Sequence, residues 1–158
     1  MLTRRRALWT GATTLLVAGC GGKTARVLAG NPHDLRILAA ALEAERAQVA
    51  LYEAGVRMGA GTIGRQILGQ EHAHRAAIEE TIRELGGTPA AARPAVDYTR
   101  AIPRGLDAWR RHAVAAEHQW SAGYPAVIPR LVNPRLRSTF AALMTTEAEH
   151  GVALETAS

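Results

Sequence analysis

Two short motifs restrict this chain more than anything else in it: Glu71-x-x-His74 and Glu147-x-x-His150. Each lies in a segment whose apolar residues recur at spacings of three and four, the mark of an amphipathic helix. The first sits among Ile63, Ile67, Ile78, Ile82 and Leu85, the second among Leu136, Phe140, Leu143 and Leu154. A three-residue step puts carboxylate and imidazole on one helix face, about one turn apart, so both reach inward. His72 and Glu149 fall off these stripes. A carboxylate in a buried stripe is costly unless something compensates it. The chain must therefore fold so that the compensating groups arrive from other segments.

Two further segments each carry one such carboxylate. Glu45 stands within Leu35, Leu38, Leu42, Val49, Tyr52 and Val56, while Glu43 falls outside that stripe. Glu117 stands within Leu106, Trp109, Ala113, Trp120 and Tyr124. Helices are predicted from about Asn31 or Asp34 to Met58, from Thr62 to Leu85, from Pro103 to Tyr124 and from Asn133 to Thr156. Asn31-Pro32 and Asn133-Pro134 each offer a cap followed by proline at the first helical position. Gly86-Gly87 supplies a C-terminal stop. Pro125 and Pro129 are expected to end or kink the third helix. Ala, Leu, Arg and Glu dominate, Phe140 is the one phenylalanine, and β-branched alternation is absent, so the fold is all-α.

The connections set the topology. The link around Gly59-Ala60-Gly61 and the short link before Asn133 make each helix pair antiparallel. The stretch from Gly86 to Ile102 is long and holds Pro89 and Pro94. About 16 residues at about 3.3 Å each can span a helix of about 24 residues rising about 1.5 Å per residue. The result is a four-helix bundle with one long crossover between its second and third helices, the ferritin-like arrangement.

Four carboxylates at the middle of one bundle repel one another, or several must be protonated. Two divalent cations supply the missing charge, and neutral imidazoles leave that balance unchanged. Oxygen ligands with one imidazole per ion suit iron or manganese. One Glu from each of two helices, with Glu-x-x-His from each of the other two, is the carboxylate-bridged dimetal pattern. Glu45, Glu71, His74, Glu117, Glu147 and His150 are the candidate ligands, with Glu71 and Glu147 as bridges by analogy. The competing reading is a metal-free core held by salt bridges and shared protons, although the stripes contain no arginine. The chain also looks duplicated: seven residues separate Glu45 from Tyr52 and Glu117 from Tyr124, and the two Glu-x-x-His motifs correspond.

Other residues have plainer readings. Tyr52 and Tyr124 read as packing residues whose hydroxyls reach a polar centre, or as hydrogen-bond partners or electron donors to the ligands. Trp109 and Trp120 read as core filling, and His72, His112 and His118 as surface histidines. Glu79, Glu80 and Arg83 read as a solvated face.

Residues 1–19 read as a signal peptide: Arg4, Arg5 and Arg6 precede an apolar run from Ala7 to Gly19 that is too short to be a good membrane span. Val17-Ala18-Gly19-Cys20 resembles a bacterial lipobox, which would make Cys20 the lipidated first mature residue. Thr3-Arg4-Arg5-Arg6-Ala7-Leu8 resembles a twin-arginine export signal. Residues 20–32 then form a tether and 33–158 the domain. The expectation is an exported lipoprotein, on the outer face of the cytoplasmic membrane or in the periplasm, held to the membrane by lipid on Cys20. Cys20 is the only cysteine, which rules out a disulfide or thiolate ligand in the domain. Of 19 Lys and Arg, three stand in the leader; the remaining 16 against 14 Asp and Glu give +2, no case for nucleic-acid binding.

The segments ALEAERAQVALYE, LGQEHAHRAAIEETIRELGGTP, AVAAEHQWSAGY and MTTEAEHGVAL, spanning Ala41 to Leu154, resemble the ferritin-like superfamily. More narrowly, the chain is similar to bacterial exported proteins with a ferritin-like domain. The resemblance implies a four-helix bundle with a di-iron or dimanganese site held by the same six residues. It departs at Arg46, where many relatives carry His, and at Gln48, where some carry Glu. The expected chemistry is that of a ferroxidase-like or catalase-like oxidoreductase acting on oxygen, peroxide or metal ions. Metal storage without turnover and a metal-free structural bundle are the alternatives, and a homo-oligomer is compatible with any of them.

Overall fold

The computed structural model describes residues 30–93 and 105–157. The segment read as a signal peptide, Cys20 and the expected start of the third helix at Pro103 lie outside the described residues. Among the described residues there are four α-helices and no strand: α1 (Pro32–Arg57), α2 (Gly61–Glu84), α3 (Leu106–Val127) and α4 (Pro134–Thr156). A 3-10 turn, Ile128–Arg130, joins α3 to α4.

The helix ends follow local chemistry. Asn31 Oδ1 accepts from His33 N at 2.8 Å, and Asn133 Oδ1 from Arg135 N at 3.0 Å. These caps satisfy donors left free in a first turn, and the prolines at Pro32 and Pro134 have no donor to lose there. Gly86, at φ +77°, ends α2, and Gly87 N donates to Ile82 O at 2.8 Å. Pro125 departs from expectation. It sits inside α3, which runs on to Val127. The carbonyl that loses its helical donor is that of Ser121, which is half-buried.

α1 packs mainly on α2 and α3 mainly on α4, while α1–α3 and α2–α4 contacts join the pairs. The crossover leaves α2 along the outside of α1. There Arg46 donates to Ala90 O at 2.8 Å and pairs with Glu43 at 2.7 Å and Glu79 at 3.3 Å. Arg46 thus faces outward and holds the start of the crossover.

Two apolar cores stack along the bundle. One contains Leu38, Leu42, Ile78, Ile82, Leu136 and Phe140. The other contains Leu51, Tyr52, Ile67, Trp109, Ala113 and Leu154. Between them lies a layer of buried polar side chains from all four helices: Glu45, Gln48, Glu71, Glu117, Glu147 and His150. Apart from this layer, Asp34 is buried, and it accepts from Val132 N at 2.8 Å and Asn133 N at 2.9 Å. It ties the start of α1 to the α3–α4 link.

Candidate metal centre

The polar layer is where the four stripes meet. Glu45 comes from α1, Glu71 and His74 from α2, Glu117 from α3, and Glu147 and His150 from α4. All six converge. They form two groups, Glu45–Glu71–His74–Glu147 and Glu71–Glu117–Glu147–His150, and within each group the nearest ligand atoms lie within 4.8 Å of one another. Glu71 and Glu147 belong to both. The imidazoles of His74 and His150 lie nearly parallel, 21° apart in plane, with ring centres 6.0 Å apart. Each turns Nδ1 to the carboxylates: His74 Nδ1 lies 3.2 Å from Glu147 Oε1, and His150 Nδ1 lies 2.9 Å from Glu71 Oε1.

A sequence comparison bears on this arrangement. The family description "ferritin-like domain" matches residues 33–158. The chain belongs to the ferritin-like domain family. Among solved structures, this ferritin-like chain is similar to a conserved hypothetical protein from Mycobacterium tuberculosis, with a TM-score of 0.69 and 18% sequence identity. The match covers 78% of this chain and 88% of that one, and at such identity it speaks for the fold alone. No curated protein sequence matches the chain.

The donor set of this ferritin-like domain fits a pair of cations. Five buried atoms have no hydrogen bond of sound geometry among the described residues: Glu45 Oε2, His74 Nδ1, Glu117 Oε2, Glu147 Oε1 and His150 Nδ1. All five belong to the six converging residues. Buried polar atoms are rarely left so. A cluster of oxygen and imidazole donors with shared carboxylates could hold metal ions.

Without metal, protons carry the compensation. Burial, reinforced by Glu147 and Glu71, pushes Glu45 up to about 9. Burial raises Glu117 and outweighs the bond from His150, leaving it at about 8. Burial also acts to raise Glu147, but His150 and His74 outweigh it and hold this carboxyl down at about 2. For the two imidazoles burial works the other way, and their carboxylate neighbours win. His74, beside Glu147 and Glu71, rises to about 10, and His150, beside Glu117 and Glu147, rises to about 11. The cluster therefore draws in positive charge of whatever kind is available.

Two glutamines complete the site. Gln48, with its amide nitrogen turned inward, donates to Glu71 Oε2 at 2.6 Å and Glu147 Oε2 at 2.9 Å. It stands three residues after Glu45, so stripe spacing could have flagged it. Gln70 Oε1 lies 3.0 Å from His150 Nε2. An amide oxygen only accepts, so Nε2 keeps its proton towards Gln70, and Nδ1, facing the cluster, is the nitrogen whose proton a metal would replace. Gln70 lies off the stripe, and nothing in its spacing marks it.

The remaining candidates separate. Tyr52, fully buried, donates its hydroxyl to Glu117 Oε1 and meets Trp109 edge-on, with ring centres 5.8 Å apart. Burial is the main cause that keeps this phenol protonated. Tyr124 is half-buried and packs against Phe140. Trp109 fills the core, but Trp120 is half-buried and walls a cavity of about 630 Å³ that reaches Glu45 and Gln48. His72 is half-buried rather than on the surface. His112 and His118 are exposed, and His118 lies 3.2 Å from Glu155.

Proposed function

We propose that this ferritin-like chain is a dinuclear iron or manganese protein acting as an oxidoreductase on oxygen, peroxide or metal ions. Glu45 and His74 would hold one ion and Glu117 and His150 the other, with Glu71 and Glu147 common to both groups. The observation that carries this reading is the pair of four-residue groups sharing Glu71 and Glu147, every member buried except the half-buried His74. When bound, such a pair supplies reversible electron transfer and Lewis acidity. The chain's own part is positional. Gln70 fixes the tautomer of His150, Gln48 orients the bridging carboxylates, and Tyr52 gives Glu117 a proton-bearing partner that stays protonated. Apolar cores cover the layer above and below, and the cavity between α1 and α3 reaches it at Glu45 and Gln48.

Metal analysis of chain purified without added salts tests the proposal. About two Fe or Mn per chain are expected; no metal, together with no thermal shift on adding either ion anaerobically, would overturn it. Addition of peroxide, or of Fe(II) with oxygen, then separates repeated turnover from a single stoichiometric uptake, which is the storage reading. We also propose that the domain is exported and tethered through lipid on Cys20, which the basic leader and the lipobox-like Val17–Cys20 support. Cys20→Ser should leave soluble or unprocessed protein, and unchanged membrane retention would refute the anchor.

A further inference from the structure

The cavity beside the cluster has chemistry of its own. It lies between α1 and α3, and its volume of about 630 Å³ falls within the range of small-molecule pockets. It runs from His33 to Gln48 along α1, about 22 Å at the helical rise. Its walls are aliphatic, small or aromatic, among them Ile37, Ala40, Ala44, Trp120, Val127 and Phe140. Its inner end is polar, at Glu45 and Gln48. Its outer end carries Arg36 and Arg130, both exposed. Neither guanidinium has a carboxylate partner among the described residues, whereas Arg46, Arg57, Arg83 and Arg93 do.

A long apolar slot with two unpaired cations at its mouth matches one kind of molecule. We propose that the cavity binds a single-chain anionic amphiphile, a long-chain alkyl carboxylate. The head group lies against Arg36 and Arg130, and the tail runs along Ile37, Ala44 and Trp120 towards Glu45. Guanidinium forks bind carboxylates with paired, charge-assisted hydrogen bonds, and the chain gains by leaving water. The slot is an open groove between two helices of one bundle, a width that suits one acyl chain rather than a bilayer. This site goes beyond the dimetal reading and does not depend on it, because no candidate ligand binds the head group.

The test uses the full chain as purified and monomeric dodecanoate, with dodecanol and acetate as comparisons. Quenching by 11-bromoundecanoate, compared between the wild type and Trp120→Phe, reports whether the tail lies beside Trp120. Dodecanoate should bind roughly tenfold tighter than dodecanol, and acetate should not bind measurably. Arg36→Gln with Arg130→Gln should bring dodecanoate and dodecanol to within about twofold of each other. Gly123→Phe should weaken both by roughly tenfold or more. Gly123 lines the slot and a Cβ there meets nothing within 4 Å, so the backbone has room for a side chain at this position, and circular dichroism checks that the variant is folded. Equal affinity for dodecanoate and dodecanol would overturn the proposal, as would unchanged binding in folded Gly123→Phe. Binding to anionic phospholipid vesicles without binding of monomeric dodecanoate would overturn it too, by making the arginines a membrane contact. Metal content should stay unchanged in every variant, so a failure here leaves the dimetal reading standing.

Discussion

Gly55→Ala is the change whose sign the structure decides against local propensity. In the middle of a helix, alanine in place of glycine stabilises by about 1 kcal/mol. Here the new Cβ would lie 2.1 Å from Trp109 Cε2 and 2.2 Å from Cζ2. Trp109 cannot yield easily. It is 1% exposed, donates Nε1 to Leu51 O at 2.9 Å and meets the Tyr52 ring edge-on. Overpacking a filled core costs about 1–3 kcal/mol. Displacing the indole also leaves a buried carbonyl without its donor, about 1–3 kcal/mol more. Set against the propensity gain, the net loss is about 3 kcal/mol, or roughly 12 °C in Tm for a domain of this size. Thermal and urea melts followed by circular dichroism measure it. Trp109→Phe should recover part of the loss in a double-mutant cycle, because the smaller ring clears the methyl. Gly69→Ala is the control: its Cβ meets nothing within 4 Å, so it should stabilise by up to about 1 kcal/mol. If Gly55→Ala also stabilised, the contact between α1 and Trp109 would be wrong, and with it the seat of Tyr52 beside Glu117.

Metal loading at pH 7 should release roughly four protons per chain, from Glu45, Glu117, His74 and His150, measured by calorimetry in buffers of different ionisation enthalpy. Release of fewer than two would contradict the protonated cluster. In metal-free protein these four groups have folded pKa values above their unfolded ones. Their stabilisation is full below the unfolded values and is lost as pH rises towards 8–11, so Tm should fall between pH 6.5 and 8. Glu147, held down at about 2, acts oppositely, and its contribution goes only as pH falls below 4.5 towards 2. Tyr52→Phe removes the donor to Glu117 Oε1 inside the core and should cost about 1–3 kcal/mol in urea titrations; an unchanged midpoint would show that the hydroxyl does not serve Glu117. Asp34→Ala removes the acceptor of two amide bonds that tie α1 to the α3–α4 link and should cost about 2–4 kcal/mol, with faster hydrogen exchange at Val132 and Asn133.

The bundle was legible because its periodicity is clean and its helix ends are chemically marked. Asn-Pro caps at Asn31 and Asn133 and the Gly86-Gly87 stop place three boundaries to within about a residue or two. Pro125 misled because a proline rule speaks for the helix interior, and this proline lies in an exposed last turn. The convergence of the six polar residues was legible for the same reason as the fold, since charge in an apolar stripe stands out. What was hidden depends on approach between helices. Asp34 reads as an ordinary first-turn acid until Val132 and Asn133 arrive beside it. Gln70 reads as a surface residue until His150 comes within 3.0 Å from another helix. The cavity is hidden most deeply: small residues such as Ala40, Ala44 and Gly123 look like good or neutral helix positions, and only the spacing of α1 and α3 turns them into walls.

The duplication in the sequence suggests a symmetric centre, and the surroundings break that symmetry. Tyr52 bonds Glu117, whereas its counterpart Tyr124 packs on Phe140 and lines the cavity. Gln70 precedes Glu71 and fixes His150, while Thr146, which precedes Glu147, bonds its own helix at Ala142 O. The side chain of His74 is 12% exposed and that of His150 is 4%. Each difference points the same way. The Glu117–His150 half is held by the Tyr52 and Gln70 hydrogen bonds, while on the other side Glu45 lines the slot between α1 and α3 and His74 is the more exposed imidazole. Equal ligands in unequal surroundings do not behave equally, because second partners and access tune a site as much as its ligands do. Under the proposed dinuclear reading, the Glu45–His74 side would be the one to meet solvent or substrate, and the Glu117–His150 side the one to hold its ion longer.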